Sequence, residues 1–184
     1  NPTAVCQDFT VALDATGNAT ITAADIDNGS SDNESVASLS LDTTTFTCVD
    51  LGENTVTLTV TDTSGNESTC SATVTVVDNI DPTAVCQDIT IQLDATGNTS
   101  IVAADIDNGS SDNCSVSLSA DVTSFTAADL GANTVTLTVT DSSGNTVVCT
   151  AIVTVEDNIN PTAVCQDFTV ALDATGNATI TAAD

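Results

Sequence analysis

Between Thr55 and Thr61 apolar and polar residues alternate without a break. Val56, Leu58 and Val60 fall on one face, and Thr55, Thr57, Thr59 and Thr61 on the other. A period of two with β-branched residues on both faces is the pattern of a half-buried strand. Asp62-Thr63-Ser64-Gly65-Asn66 carries turn chemistry. Cys70, Ala72, Val74 and Val76 then alternate along a return strand, so the pair predicts a hairpin. The same hairpin returns with Val135, Leu137 and Val139, followed by Cys149, Ala151, Val153 and Val155. Upstream, Phe9, Val11 and Leu13 alternate before the turn Asp14-Ala15-Thr16-Gly17-Asn18. Ile21 is expected in a short strand, another strand near Val36 to Leu41, and a further element around Phe46 and Leu51. Ala23-Ala24-Asp25 and Ala127-Ala128-Asp129 each predict a single helical turn. Short strands with regular turns predict an all-β chain of tandem immunoglobulin-like β-sandwich repeats.

The chain repeats itself. Asn1-Pro2-Thr3-Ala4-Val5-Cys6-Gln7-Asp8 recurs from Asp81 and again from Asn160, which divides the chain at 1–80, 81–159 and 160–184. Residues 160–184 match residues 1–25 at every position, whereas the second copy differs from the first at seven positions over that stretch. A two-repeat unit is therefore the expected larger period. The third copy stops at Asp184, in mid-repeat, and the expectation is a window on a longer array.

Charge narrows the partners. There are 26 carboxylates and no Lys, Arg or His. No side-chain ion pair can form, so each carboxylate needs solvent, a hydrogen-bond donor or a cation. Nucleic acid, which demands a basic footprint, is excluded as a partner, and anionic membrane surfaces are disfavoured. Insertion into a membrane is not expected either, since no apolar run approaches the roughly 20 residues of a helical span. Catalysis is not expected: acid–base work would fall to carboxylates in the repeated loops of small domains.

Cys6 and Cys70 occupy the first and last cysteine positions of the first copy, and Cys86 and Cys149 those of the second. The simplest pairing is Cys6–Cys70 and Cys86–Cys149. Each bridge would close a loop worth about 4 kcal/mol by the chain-entropy model, and would imply an oxidising compartment. The middle positions are half-filled: Cys48 faces Ala127 in the alignment, and Glu34 faces Cys114. Buried free thiols are the favoured state of Cys48 and Cys114, with a bridge between repeats or chains as the alternative. The absence of His and of a Cys-x-x-Cys motif disfavours zinc.

Asp25-Ile26-Asp27-Asn28-Gly29-Ser30-Ser31-Asp32-Asn33 recurs as Asp105 to Asn113. Aspartates alternating around a glycine can offer several hard oxygens to one Ca²⁺. In a sandwich of this type the second acidic loop, the turn at Asp141 and the linker from Asp78 to Asp81 meet at one end. The candidate Ca²⁺ ligands are accordingly Asp25, Asp27, Asp32, Asp78, Asp81, Asp105, Asp107, Asp112 and Asp141. The competing reading makes these side chains caps of their own turns.

Pro-Thr-Ala-Val-Cys-Gln-Asp, the hairpin Asn-Thr-Val-Thr-Leu-Thr-Val-Thr-Asp with Ser-Gly-Asn, and the ending Thr-Val-x-Asp-Asn resemble the hyalin repeat (HYR) family along essentially the whole chain. The nearest likeness is to tandem arrays in secreted and surface proteins of Bacteroidota bacteria. The resemblance implies an immunoglobulin-like fold, a role in adhesion or extracellular architecture, and no catalytic residues. Glu34 and Ala127 depart from its four-cysteine pattern.

The function expected is an extracellular or cell-surface structural array, a fibre or stalk stiffened by disulfides and by Ca²⁺ at its junctions. Its partners would be copies of itself. The rival is an adhesin that binds glycans or proteins through the acidic loops. The two loops agree residue for residue, which suits spacing better than a dedicated site. Attached glycans are also candidates, at Thr43 and at the sequons of Asn18, Asn28 and Asn108.

Overall fold

A computed structural model describes residues 1–181. The first repeat holds β1 (Phe9–Ala12), β2 (Asn18–Thr20), α1 (Ala23–Ile26), β3 (Val36–Leu41), β4 (Thr45–Thr47), β5 (Gly52–Asp62) and β6 (Glu67–Val77). The second holds β7 (Ile89–Gln92), β8 (Asn98–Ser100), β9 (Val116–Ala120), β10 (Ser124–Thr126), β11 (Gly131–Asp141) and β12 (Thr146–Glu156). Single 3₁₀ turns lie at Cys48–Asp50, Ala103–Asp105 and Ala127–Asp129. Ile21 lies just past β2 rather than within a strand, yet is buried.

Each repeat packs a four-stranded sheet, ordered β1-β6-β5-β3 or β7-β12-β11-β9, against a two-stranded one, β2-β4 or β8-β10. The alternating hairpin is the backbone of the larger sheet, with Val56 opposite Ala72 and Leu58 opposite Cys70. Val56, Leu58, Val60 and Val74 are completely buried, and Phe46, Leu13 and Ile26 close the core from the other side. The second repeat does the same with Val135, Leu137, Val139, Val153 and Phe125. Two separate cores follow, one per repeat. The fold is a tandem pair of immunoglobulin-like β-sandwiches.

β1 pairs parallel with β6, Phe9 opposite Val74 and Val11 opposite Val76, and β7 pairs with β12 in the same way. The first strand of a repeat thus needs the last strand of that repeat. Residues 160–181 carry the sequence of the first strand, and this stretch forms no strand among the described residues. Its turn is made: the Asp173 N–H donates to the Asn177 carbonyl at 2.8 Å. Among the described residues no helix is long and apolar enough to cross a membrane.

Candidate functional site at the repeat junction

Three disulfides are present. Cys6–Cys70 and Cys86–Cys149 each tie the start of a repeat to its last strand. The third, Cys48–Cys114, joins the two repeats. The expectation of free thiols at Cys48 and Cys114 is therefore corrected. Each copy keeps one half of a bridge, and the halves meet across the junction, Cys114 packing against the core of the first repeat. Such bridges persist in oxidising compartments. Cys165 is exposed and is the free cysteine.

The bridge sits in a close contact. Gly17 turns the chain between β1 and β2 with φ of 74°. A Cβ at this position would lie 2.7 Å from the Asn113 carbonyl oxygen and 2.8 Å from Cys48 Sγ. The next repeat thus presses its loop onto the backbone of this turn. Asn113 Nδ2 donates to the Asp14 carbonyl at 3.0 Å and to Asp78 Oδ1 at 3.3 Å. From the β11–β12 turn, Asn145 Nδ2 reaches the Asp78 carbonyl at 3.2 Å and the Ile80 carbonyl at 3.4 Å. The linker is held by both loops of the repeat that it enters.

The nine candidate ligands separate by place. Asp78 and Asp112 come together at the junction, each offering an oxygen within 4.8 Å of the other. Asp141 lies in the turn that holds the linker, but both of its oxygens are committed. Oδ1 accepts from the Ser143 and Asn145 N–H groups at 2.8 Å, and Oδ2 from Asn145 Nδ2 at 2.7 Å. Asp25 accepts from the Thr22 N–H at 2.7 Å and its hydroxyl at 2.8 Å, capping α1. Asp105 accepts from the Val102 N–H at 2.7 Å. Asp27 holds the N–H groups of Gly29 and Ser30, and Asp107 those of Gly109 and Ser110. Asp32 accepts from the Glu34 N–H, and Asp81 is exposed on the linker. The nine candidates thus separate in this structure: the repeated acidic loops cap their own backbone, and among the described residues Asp78 of the linker and Asp112 at the tip of the second loop converge.

The caps leave an electrostatic signature. Thr16's hydroxyl, then its N–H and that of Asn18, hold the Asp14 carboxyl below its ordinary value. The Asn66 amide does most to lower Asp62. At Asp141 burial works upward, and the Asn145 amide with the N–H groups of Asn145 and Ser143 outweighs it.

The junction pair differs from the caps. Asp78 is only 4% exposed. Its Oδ1 accepts from the Ile80 N–H at 3.1 Å, while its Oδ2 has no partner. Asp112 Oδ2 accepts from the Cys114 N–H at 3.0 Å, while its Oδ1 has none. Asn113 Oδ1 is likewise buried and without a partner. The acidic-loop pattern pointed at Asp112; Asn113, Asn145 and Gly17 carried no signal beyond ordinary turn chemistry. The candidate glycan sites Thr43, Asn18, Asn28 and Asn108 are all exposed, and Asn18 donates its amide to Thr16.

Fold and junction define a tandem immunoglobulin-like repeat protein whose neighbouring sandwiches are covalently joined. No family model and no curated protein matches the chain. Among solved structures, human protocadherin-24 EC1-2 is 11% identical over 86% of this chain and 99% of that one, with a TM-score of 0.44. Human mucin-like protocadherin EC1-2 is 13% identical over 85% and 98%, with a TM-score of 0.43. The titin I-band fragment I67–I69 is 12% identical over 85% and 66%, at 0.38. Protocadherin gamma B7 extracellular domains 1–4 match at 11% identity over 85% of this chain and 51% of that one, at 0.37; the chain spans about half its length. These likenesses are of fold alone.

Proposed function

We propose that this chain is a segment of an extracellular structural array of hyalin-repeat type, in which small sandwiches are set end to end as a stiff fibre or stalk. The observation that carries the reading is the Cys48–Cys114 bridge, which ties a loop of the second repeat onto the core of the first and so joins two repeats that have separate cores. Hydrogen bonds from Asn113 and Asn145 to the linker act in the same direction. Partners along the array are further copies of the repeat. Ca²⁺ is part of this reading as a second brace, at the junction rather than in the repeated loops. The adhesin alternative loses ground because the loop carboxylates that would bridge a glycan through a cation already serve their own backbone. No catalytic step enters the reading.

Electron microscopy of the native material tests it. Straight strings or fibres outside the cell are expected, with an axial period of one or two repeats, and reduction should introduce kinks. Compact particles, or strings equally straight after reduction, would overturn the proposal.

A further inference from the structure

Within the junction one feature is unbalanced. Asp78 Oδ2, Asp112 Oδ1 and Asn113 Oδ1 are buried acceptors with no donor. Unsatisfied buried oxygens are costly, and charged ones most of all. Two carboxylates with oxygens within 4.8 Å also repel. The chain has no Lys, Arg or His to answer them. The neutralising group must come from solution.

We propose that Asp78 Oδ2, Asp112 Oδ1 and Asn113 Oδ1 bind one divalent cation of the Ca²⁺ class between the repeats, and that this site and the Cys48–Cys114 bridge are thermodynamically linked. This deepens the array reading, on which its consequence for stiffness rests; the site itself rests on the three oxygens.

Donor chemistry selects the ion. Cys114 lies beside the two carboxylates, but its sulfur is spent in the disulfide and offers no thiolate. The remaining donors are hard oxygens from two charged groups and one amide, a set suited to Ca²⁺ or Mg²⁺ rather than Zn²⁺. Irregular geometry with water completing the shell favours Ca²⁺, since Mg²⁺ demands a near-octahedral cage. The other end of the second repeat supplies a contrast within the molecule. Asp157 stands where Asp78 stands in the first repeat and is exposed. At the junction, Asp112 and Asn113 dock against Asp78 and bury it.

Linkage follows from covalent neighbourhood. Asp112, Asn113 and Cys114 are consecutive, and the Cys114 N–H donates to Asp112 Oδ2. The bridge pins that tripeptide to the repeat that carries Asp78. Without it, the cation would have to order the loop itself. By reciprocity the cation must then protect the bridge.

Calorimetric titration of Ca²⁺ into the oxidised, metal-stripped chain tests both parts, at an ionic strength near 0.15 M to screen diffuse binding to the carboxylates. One saturable site is expected, with a rise in melting temperature. Asp78→Asn and Asp112→Asn should each weaken it at least ~10-fold, a loss in keeping with removal of a charged ligand, while Asp157→Asn should not. Replacing Cys48 and Cys114 together by alanine should weaken Ca²⁺ binding ~5-fold or more, the lower range of measured couplings. In the wild type, Ca²⁺ should slow reduction of Cys48–Cys114 relative to Cys6–Cys70, read by differential alkylation and mass spectrometry. Absence of a saturable site, or an Asp78→Asn chain that binds as the wild type does, overturns the site. So does an Asp78→Asn chain that melts higher while neither protein responds to Ca²⁺, since the carboxylates then merely repel. Equal affinity with and without the bridge overturns the linkage. Strings that stay straight in chelator yet kink on reduction would remove the cation and leave the disulfide reading intact.

Discussion

Gly17 is decided twice over. Its φ of 74° lies in the left-handed region, and the Asn113 carbonyl and Cys48 Sγ occupy the space a Cβ would take. Gly97, its counterpart in the second repeat, has φ of 77° but open surroundings, with only the Ala127 Cβ at 3.9 Å. The pair separates backbone strain from junction contact. Gly97→Ala should cost about 1–2 kcal/mol, the ordinary penalty for an alanine in that conformation. Gly17→Ala should cost more and should also slow closure of Cys48–Cys114, because backbone rather than a flexible side-chain tip must move. Thermal melts and disulfide mapping of both variants check this. Gly17 was legible as a turn residue from Asp14-Ala15-Thr16-Gly17-Asn18. Its second duty was not, because the Asn113 carbonyl oxygen comes from 96 positions further on, where no local pattern points back.

At the scale of elements the hairpins were the most legible part of the molecule. Alternation of Val56, Leu58 and Val60 with threonines admits one register against a core, since a slip of one residue would turn every valine to solvent. Leu58→Ala should cost about 2–5 kcal/mol, the range for removing a buried leucine. Thr57→Ala on the outer face should stay within about 0.5 kcal/mol. Chemical denaturation of the two variants checks the contrast; equal losses would mean that the outer face is also packed. The acidic loops were read less well. Their spacing fits a cation loop and a capped turn equally, because both are built from aspartates near glycine. The structure shows the capped turn: the N–H groups of Gly29, Ser30, Gly109 and Ser110 donate to their own aspartates.

Over the whole molecule 26 negative charges must be held together without a single basic side chain. Turn caps meet part of that demand. Asp14, Asp62 and Asp94 are held below the ordinary carboxylate value of 3.8 by their turn donors, and Asp141 is too. A carboxyl lowered on folding contributes stability that is present above 3.8 and is lost as pH falls through the folded value. Stability should therefore hold down to about pH 4 and drop below it. Circular-dichroism melts at stepped pH check this. A melting temperature that climbs as pH falls through 3.8 would mean that relief of repulsion outweighs loss of the caps. The two-sandwich layout was legible at this scale from the 80-residue recurrence, whereas the bridge was legible only as the less favoured of two readings. Cys48 and Cys114 look orphaned when each repeat is taken as a closed unit, and they pair only when the unit is the junction.

Because the first strand lies parallel to the last within each repeat, β1 to β6 and β7 to β12, a pull along the chain loads their hydrogen bonds side by side, in shear, instead of peeling them one at a time. Cys6–Cys70 and Cys86–Cys149 stand behind that ladder and span 64 and 63 positions of chain. Should the ladder give way, the sequence between each pair of cysteines could not pay out while its disulfide holds. Only the short segments around the linker could lengthen, and Cys48–Cys114 ties the two repeats across them. Under tension the chain would behave as a tether with a covalent stop, giving a little and then no more.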